Sequence, residues 1–263
     1  MSRIHKKFVE LRRRKKKAFI AFITAGYPSL TKTKQLVLAF EKVGVDIVEL
    51  GVPFSDPMAD GPIIQEASAQ ALRNKVTLAS ILKLVKEIRA SSSIPICLMT
   101  YYNPIFCFGE KKFCAQASAC GVDGVIIPDL PAEEASSLRA EATRHGIDVI
   151  CFIAPTTTQK RMHYLVSIAQ GFIYYVSLAG VTGPRARLPV GIQRQVGRIR
   201  ACTRKPVCVG FGVSHRGQVK QIARMADGVI VGSAIVRMIK QYSKAPDCVK
   251  RVSALVGNLA KDI

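Results

Sequence analysis

At 263 residues with 49% hydrophobic side chains, the chain can bury one full-sized core, and no apolar run approaches the roughly 18 residues of a membrane-spanning helix. Its basic N-terminus lacks the apolar stretch and small-residue cleavage site of a secretory leader, and its eight cysteines form no CxxC pair, which argues against structural zinc and for a reducing cytoplasm. The formal net charge of +21 attracts anions without choosing among phosphate esters, nucleic acid and acidic protein.

Along the chain, residues 2–14 carry Ile4, Phe8 and Leu11 at helical spacing, so residues 1–17 predict a basic N-terminal cap helix laid across the bottom of the fold. The run Arg12 to Lys17 has no interleaved aromatic platform and reads as a solvated helix end, which makes nucleic acid an unlikely partner. From Ala18 onward, short β-branched runs alternate with longer amphipathic stretches. Strands are expected at 18–24, 46–50, 95–100, 124–127, 148–153, 172–176, 206–209 and 228–231, with helices between them. Runs such as Gly124-Val125-Ile126-Ile127 are continuously apolar, as parallel strands buried on both faces should be. No GxGxxG follows the first strand, which disfavours an open doubly wound sheet. The reading is α/β, a single (β/α)8 TIM barrel over residues 1–263, with the cap helix and a mobile loop after the sixth strand.

In such a barrel the chemistry sits at the C-terminal strand ends. Glu49 stands at one of them, among Val48 and Leu50, where partial desolvation would raise its pKa toward neutrality and suit it to proton transfer. The alternative is a structural ion pair, with Asp56 and Asp60 only making turns. Gly210-Phe211-Gly212-Val213-Ser214 and Gly232-Ser233-Ala234 follow the seventh and eighth strands, the usual phosphate position of this fold. Residues 177–189 hold two glycines and little apolar periodicity, consistent with a lid or with an ordinary surface loop. His5, His145, His163 and His215 receive no role.

Taken together, Glu49 to Gln65 with its Glu-Leu-Gly-Val-Pro-Phe-Ser-Asp-Pro run, Met99 to Pro104, Pro128-Asp129-Leu130-Pro131, Gly180-Val181-Thr182-Gly183 and Gly210-Phe211-Gly212 resemble the tryptophan synthase alpha chain family in order and spacing. The likeness runs from about Phe8 to the C-terminus. It implies a lyase that splits indole-3-glycerol phosphate into indole and glyceraldehyde 3-phosphate, with Glu49 as proton shuttle and Asp60 holding the indole N–H. It further implies an indole pocket of Phe22, Met99, Ile126, Phe152, Tyr174 and Phe211, phosphate contacts from Gly183, Gly212, Gly232 and Ser233, and Thr182 as the lid residue that reaches Asp60. Asp56 would meet a beta chain in an α2β2 complex that receives the indole. Pyridoxal phosphate would belong to that partner, leaving this chain with no cofactor and no metal. Ala179 departs from the hydroxyl residue common in relatives and would alter lid closure.

Overall fold

Eight strands pair in sequence order and close on themselves as a parallel barrel: β1 (Ala18–Thr24), β2 (Ile47–Gly51), β3 (Ile96–Met99), β4 (Gly124–Ile126), β5 (Asp148–Ile153), β6 (Ile173–Val176), β7 (Val207–Gly210) and β8 (Gly228–Val231). The computed structural model describes residues 2–176, 191–210, 212–261 and 263. The expected strands are all present, displaced by at most a residue or two at their ends, and β1, β5 and β8 have the expected limits. The β1–β8 pairing, Ala18 opposite Gly228 through Ala21 opposite Val231, makes the closure.

Around the barrel run α2 (Leu30–Lys42), α3 (Pro62–Arg73), α4 (Leu78–Arg89), α5 (Tyr102–Phe108), α6 (Glu110–Cys120), α7 (Ser136–Arg144), α8 (Gln159–Ile168), α9 (Ile192–Cys202), α10 (Arg216–Ala223), α11 (Ser233–Tyr242) and α12 (Cys248–Ala260). The connections after β2, β3 and β8 each hold two helices rather than one. After β3 the break falls at Gly109, whose φ of 87° lies in the left-handed region where a side chain is disfavoured. Side chains alternate along each strand. One set meets the helices in the outer core, and the other, including Ile20, Ile47, Cys97, Ile126, Ile150, Tyr174, Cys208 and Ile230, fills the barrel interior.

The cap helix is present as α1 (Arg3–Arg13). Its N-terminus is capped by the Ser2 hydroxyl, which accepts the His5 N–H at 3.2 Å. Ile4, Phe8 and Leu11 are buried and continue the interior cluster downward, with the Phe8 ring 6.0 Å from that of Phe172.

The bottom of the barrel carries a fourfold pattern. The N–H groups of Phe19, Ile96, Val149 and Val207, at or next to the starts of β1, β3, β5 and β7, donate to the side chains of Asp46, Asp123, Gln170 and Asp227 at 2.9, 2.8, 2.9 and 3.0 Å. Each acceptor lies in the turn before the next strand, and its own N–H returns a bond to the carbonyl of the same residue. Strand starts that would otherwise leave unpaired amides are thereby closed in pairs.

Candidate active site

The opposite end is built differently. Glu49 lies on β2 with Phe22 of β1 and Cys97 of β3 in register beside it. It is fully buried, and neither carboxylate oxygen has a hydrogen-bond partner among the described residues. With nothing to stabilise the anion, burial alone pushes its carboxyl up to about 8. Its neighbours feel it in turn. The Tyr174 phenol and the Cys97 thiol are driven well above their ordinary values, first by burial and then by the Glu49 charge; the Cys208 thiol is driven up by burial first, then by Asp227 and Glu49.

Asp60 sits in the loop between β2 and α3. The Asp60 N–H bonds the Pro57 carbonyl at 3.0 Å, and Gln65 Nε2 donates to the Asp60 carbonyl at 2.9 Å, so the loop is fixed on both sides. Tyr101 Oη, from the end of β3, donates to the Asp60 carboxylate at 3.2 Å and accepts the Ala59 N–H at 2.9 Å. The Tyr101 ring is itself held by stacking on Phe54, with centroids 5.2 Å apart. Burial raises the Asp60 carboxyl to about 6, and the Tyr101 hydrogen bond opposes that rise.

A cleft of about 40 Å³ opens above the barrel interior, lined by Phe22, Asp60, Ile64, Met99, Tyr174, Gly212, Val213, Ile230, Gly232 and Ser233. It therefore joins seven residues singled out in the sequence: Phe22, Asp60, Met99, Tyr174, Gly212, Gly232 and Ser233. Glu49 lies beneath it rather than on its wall. Phe152 is half-buried with its ring 4.8 Å from that of Tyr174, and Ile126 is fully buried in the interior; neither lines the cleft. Asp56 is exposed on the loop between β2 and α3. Thr182, Gly183, Phe211 and the substituted Ala179 lie outside the described residues, as does the loop expected to be mobile.

Sequence reasoning gave no individual role to Tyr101, Ile64 or Ile230, named Val213 and Gly210 only within a phosphate segment, and did not see how Gly51 and Gly210 shape the cleft. A Cβ at Gly51 would come within 2.6 Å of the Phe22 ring, and one at Gly210 within 2.7 Å of Tyr174 Oη, so each aromatic ring of the wall occupies space that a neighbouring strand leaves vacant. A glycine inside an apolar strand is a readable signal of such close approach.

Two backbone features border the cleft. Gly212 has a φ of 74°, and α11 begins at the cleft with no side-chain cap and no acidic residue in its first turn, leaving its first amides available. Among the described residues no group of three or more His, Cys, Asp or Glu is placed to hold a metal ion.

A family profile described as tryptophan synthase alpha chain matches residues 8–263. Tryptophan synthase alpha chains of Geobacter sulfurreducens and Geotalea daltonii are each 49% identical to this chain, covering 93% and 92% of it and the same shares of their own lengths. The crystal structure of tryptophan synthase subunit alpha from Legionella pneumophila superposes with a TM-score of 0.92 at 36% identity, over 99% of this chain and 98% of that one. A chain of Mycobacterium tuberculosis tryptophan synthase does so with 0.91 at 37%, over 98% and 97%.

Proposed function

Because the chain belongs to the tryptophan synthase alpha chain family, we propose that Glu49 and Asp60 divide the acid–base work of the reaction that defines it. The chain is a lyase of tryptophan biosynthesis and carries out the alpha reaction, the cleavage of indole-3-glycerol phosphate to indole and glyceraldehyde 3-phosphate.

The observation that carries the assignment is the separation of two buried carboxyls, at about 8 and about 6, around one cleft. Near neutrality Glu49 is mostly the acid and Asp60 mostly the anion. The Glu49 carboxyl gives its proton to indole C3, which places positive charge on the ring and its nitrogen. Asp60 accepts the ring N–H and stabilises that charge. The Glu49 carboxylate then takes the proton of the glycerol hydroxyl beside the ring. The bond from C3 to the side chain breaks, its electron pair restores the indole, and the oxygen becomes the carbonyl of glyceraldehyde 3-phosphate. Glu49 ends protonated, as it began. These steps call on no metal and no organic cofactor in this chain.

Phe22, Met99 and Tyr174 form the apolar wall for the indole, with Ile64 and Ile230; Phe152 and Ile126 support that wall from behind. Gly212, Gly232 and Ser233 take the phosphate at the start of α11. Phe211 on the indole, Gly183 on the phosphate and Thr182 on Asp60 are assigned by family resemblance. A cleft of about 40 Å³ holds a few waters at most, less than the whole substrate needs.

The family works with a beta chain. For this protein we assign an α2β2 complex, with pyridoxal phosphate in the beta chain, indole passing to it, and Asp56 at the contact. Met58, two residues from Asp56 in the same loop, is 77% exposed, and we place it beside Asp56 at the docking face. No helix among the described residues is long and apolar enough to cross a membrane, and the proposed setting is the cytoplasm, with residues 1–263 acting as one domain.

The test is indole release from indole-3-glycerol phosphate, with and without the cognate beta chain, in wild type and Glu49→Gln. Release that rises with the beta chain and vanishes in the variant supports the assignment. Undiminished release by the variant removes Glu49 from the mechanism.

A further inference from the structure

The outward side chains of the strands are sealed by the helices almost everywhere: Ala21, Val48, Leu98, Val125, Ile173 and Val229 have no solvent exposure. The wall is looser at β5. Val149 and Cys151, both outward-facing, each retain 8%, and a cavity of about 300 Å³ lies between them, α7, α8 and the loop after β4. The cavity opens to solvent beside the exposed residues Asp129, Pro131 and Arg161, and 300 Å³ is the scale of a small-ligand pocket.

The chamber lies behind β5, on the far side of that strand from the barrel interior. Leu130, Ala135, Leu165 and Ile168 make much of its wall apolar; its charged residues are Asp129, which is exposed and accepts the Tyr102 N–H at 2.9 Å, and two arginines. Arg161 is committed to Glu133 at 2.8 Å. Half-buried Arg139 is not: its one bond is a long 3.5 Å contact to the Ala132 carbonyl, with no carboxylate in ion-pairing range among the described residues. Its field reaches the floor of the chamber, where it offsets part of the burial that pushes the Cys151 thiol up to about 11. A partly desolvated cation over an apolar chamber is stabilised by an anion that brings its own apolar body.

We propose that this chamber binds a small apolar carboxylate, aryl or branched aliphatic, with its body against Val149 and Cys151 and its carboxylate paired with Arg139. A free phosphate fits poorly, having nothing to place against the apolar walls. The proposal does not rest on the roles given to Glu49 and Asp60.

The test is calorimetric titration of the full chain with 3-phenylpropionate, in saturating glycerol 3-phosphate so that the catalytic anion site is filled. The expected result is saturable one-to-one binding. Arg139→Gln should weaken it about tenfold or more, as loss of a charged hydrogen bond does. Ala135→Leu, which grows into the chamber, should abolish it, and the neutral 3-phenylpropanol should bind more weakly by a similar factor. Both variants should release indole at the wild-type rate. No saturable binding, or binding that Arg139→Gln leaves unchanged, overturns the proposal.

Discussion

At the bottom of the barrel Asp123 is 3% exposed and holds Arg89 at 2.7 Å, Arg3 at 2.9 Å and the Ile96 N–H at 2.8 Å. At the top Glu49 is fully buried and neither of its oxygens is bonded among the described residues. Desolvating a carboxylate is costly at either end. The bottom offsets that cost with cations and amides, which fixes the anion and ties elements together. The top leaves it standing, which pushes the Glu49 carboxyl up to about 8. Burial marks both groups, and only the presence or absence of partners separates the fastening from the group proposed as the acid.

Exchanging Glu49 for glutamine tests this contrast most severely. Indole release should fall about a thousandfold, within the range for loss of a general acid–base group. Stability should move the other way. The Glu49 carboxyl ionises near 4.5 when unfolded and near 8 when folded, so between those values unfolding releases a proton and stability declines as pH rises. Urea melts should show the variant more stable at pH 8 by a few kcal/mol and equal to wild type at pH 4. Equal stability at both pH values would mean that Glu49 is not desolvated.

Asp123→Ala makes the converse change. It strands Arg89, whose side chain is only 11% exposed, and should cost about 3 kcal/mol in denaturant melts while kcat stays near wild type. A large loss of activity in folded protein would break the division between the ends.

Tyr101→Phe acts on the intermediate case, Asp60, which has one opposing bond. Without it the Asp60 carboxyl should rise further above about 6, so the acidic limb of the rate profile should move to higher pH. Release at pH 6.5 should drop about tenfold, and less at pH 8. An unmoved profile would leave Tyr101 a merely structural role.

The smallest effect should come from replacing Arg12, Lys15 and Lys16 together by glutamine. All three are exposed, and melts should shift by no more than about 0.5 kcal/mol, with indole release unchanged.

The barrel was legible because each strand announces itself by an unbroken apolar run, and α1 because Ile4, Phe8 and Leu11 keep helical spacing. Glu49 was legible as a charge at the end of such a run. What escaped were pairings across long stretches of chain. Tyr101 is one of two adjacent tyrosines, and nothing local says which of them meets Asp60, 41 residues earlier. The bottom aspartates did leave a trace, since Gly44-Val45-Asp46 and Gly121-Val122-Asp123 repeat just ahead of strands and Ala226-Asp227-Gly228 is similar. Their meaning, an acceptor for the preceding strand, depends on parallel pairing that a strand cannot display alone. The chamber behind β5 left no trace, because looseness between helices is a property of packing rather than of pattern.

The ties at the bottom of the barrel also set an order in time. The four strand-start pairs join residues only 20 to 27 positions apart, so each can form soon after its second strand leaves the ribosome. The cap helix is made before the barrel, yet Arg3 and Ser2 reach their partners Asp123 and Asp148 across 120 and 146 positions. At roughly 5–20 residues per second, that is a wait of about 6 to 29 seconds, through which the apolar face of the nascent helix lacks much of its native surface.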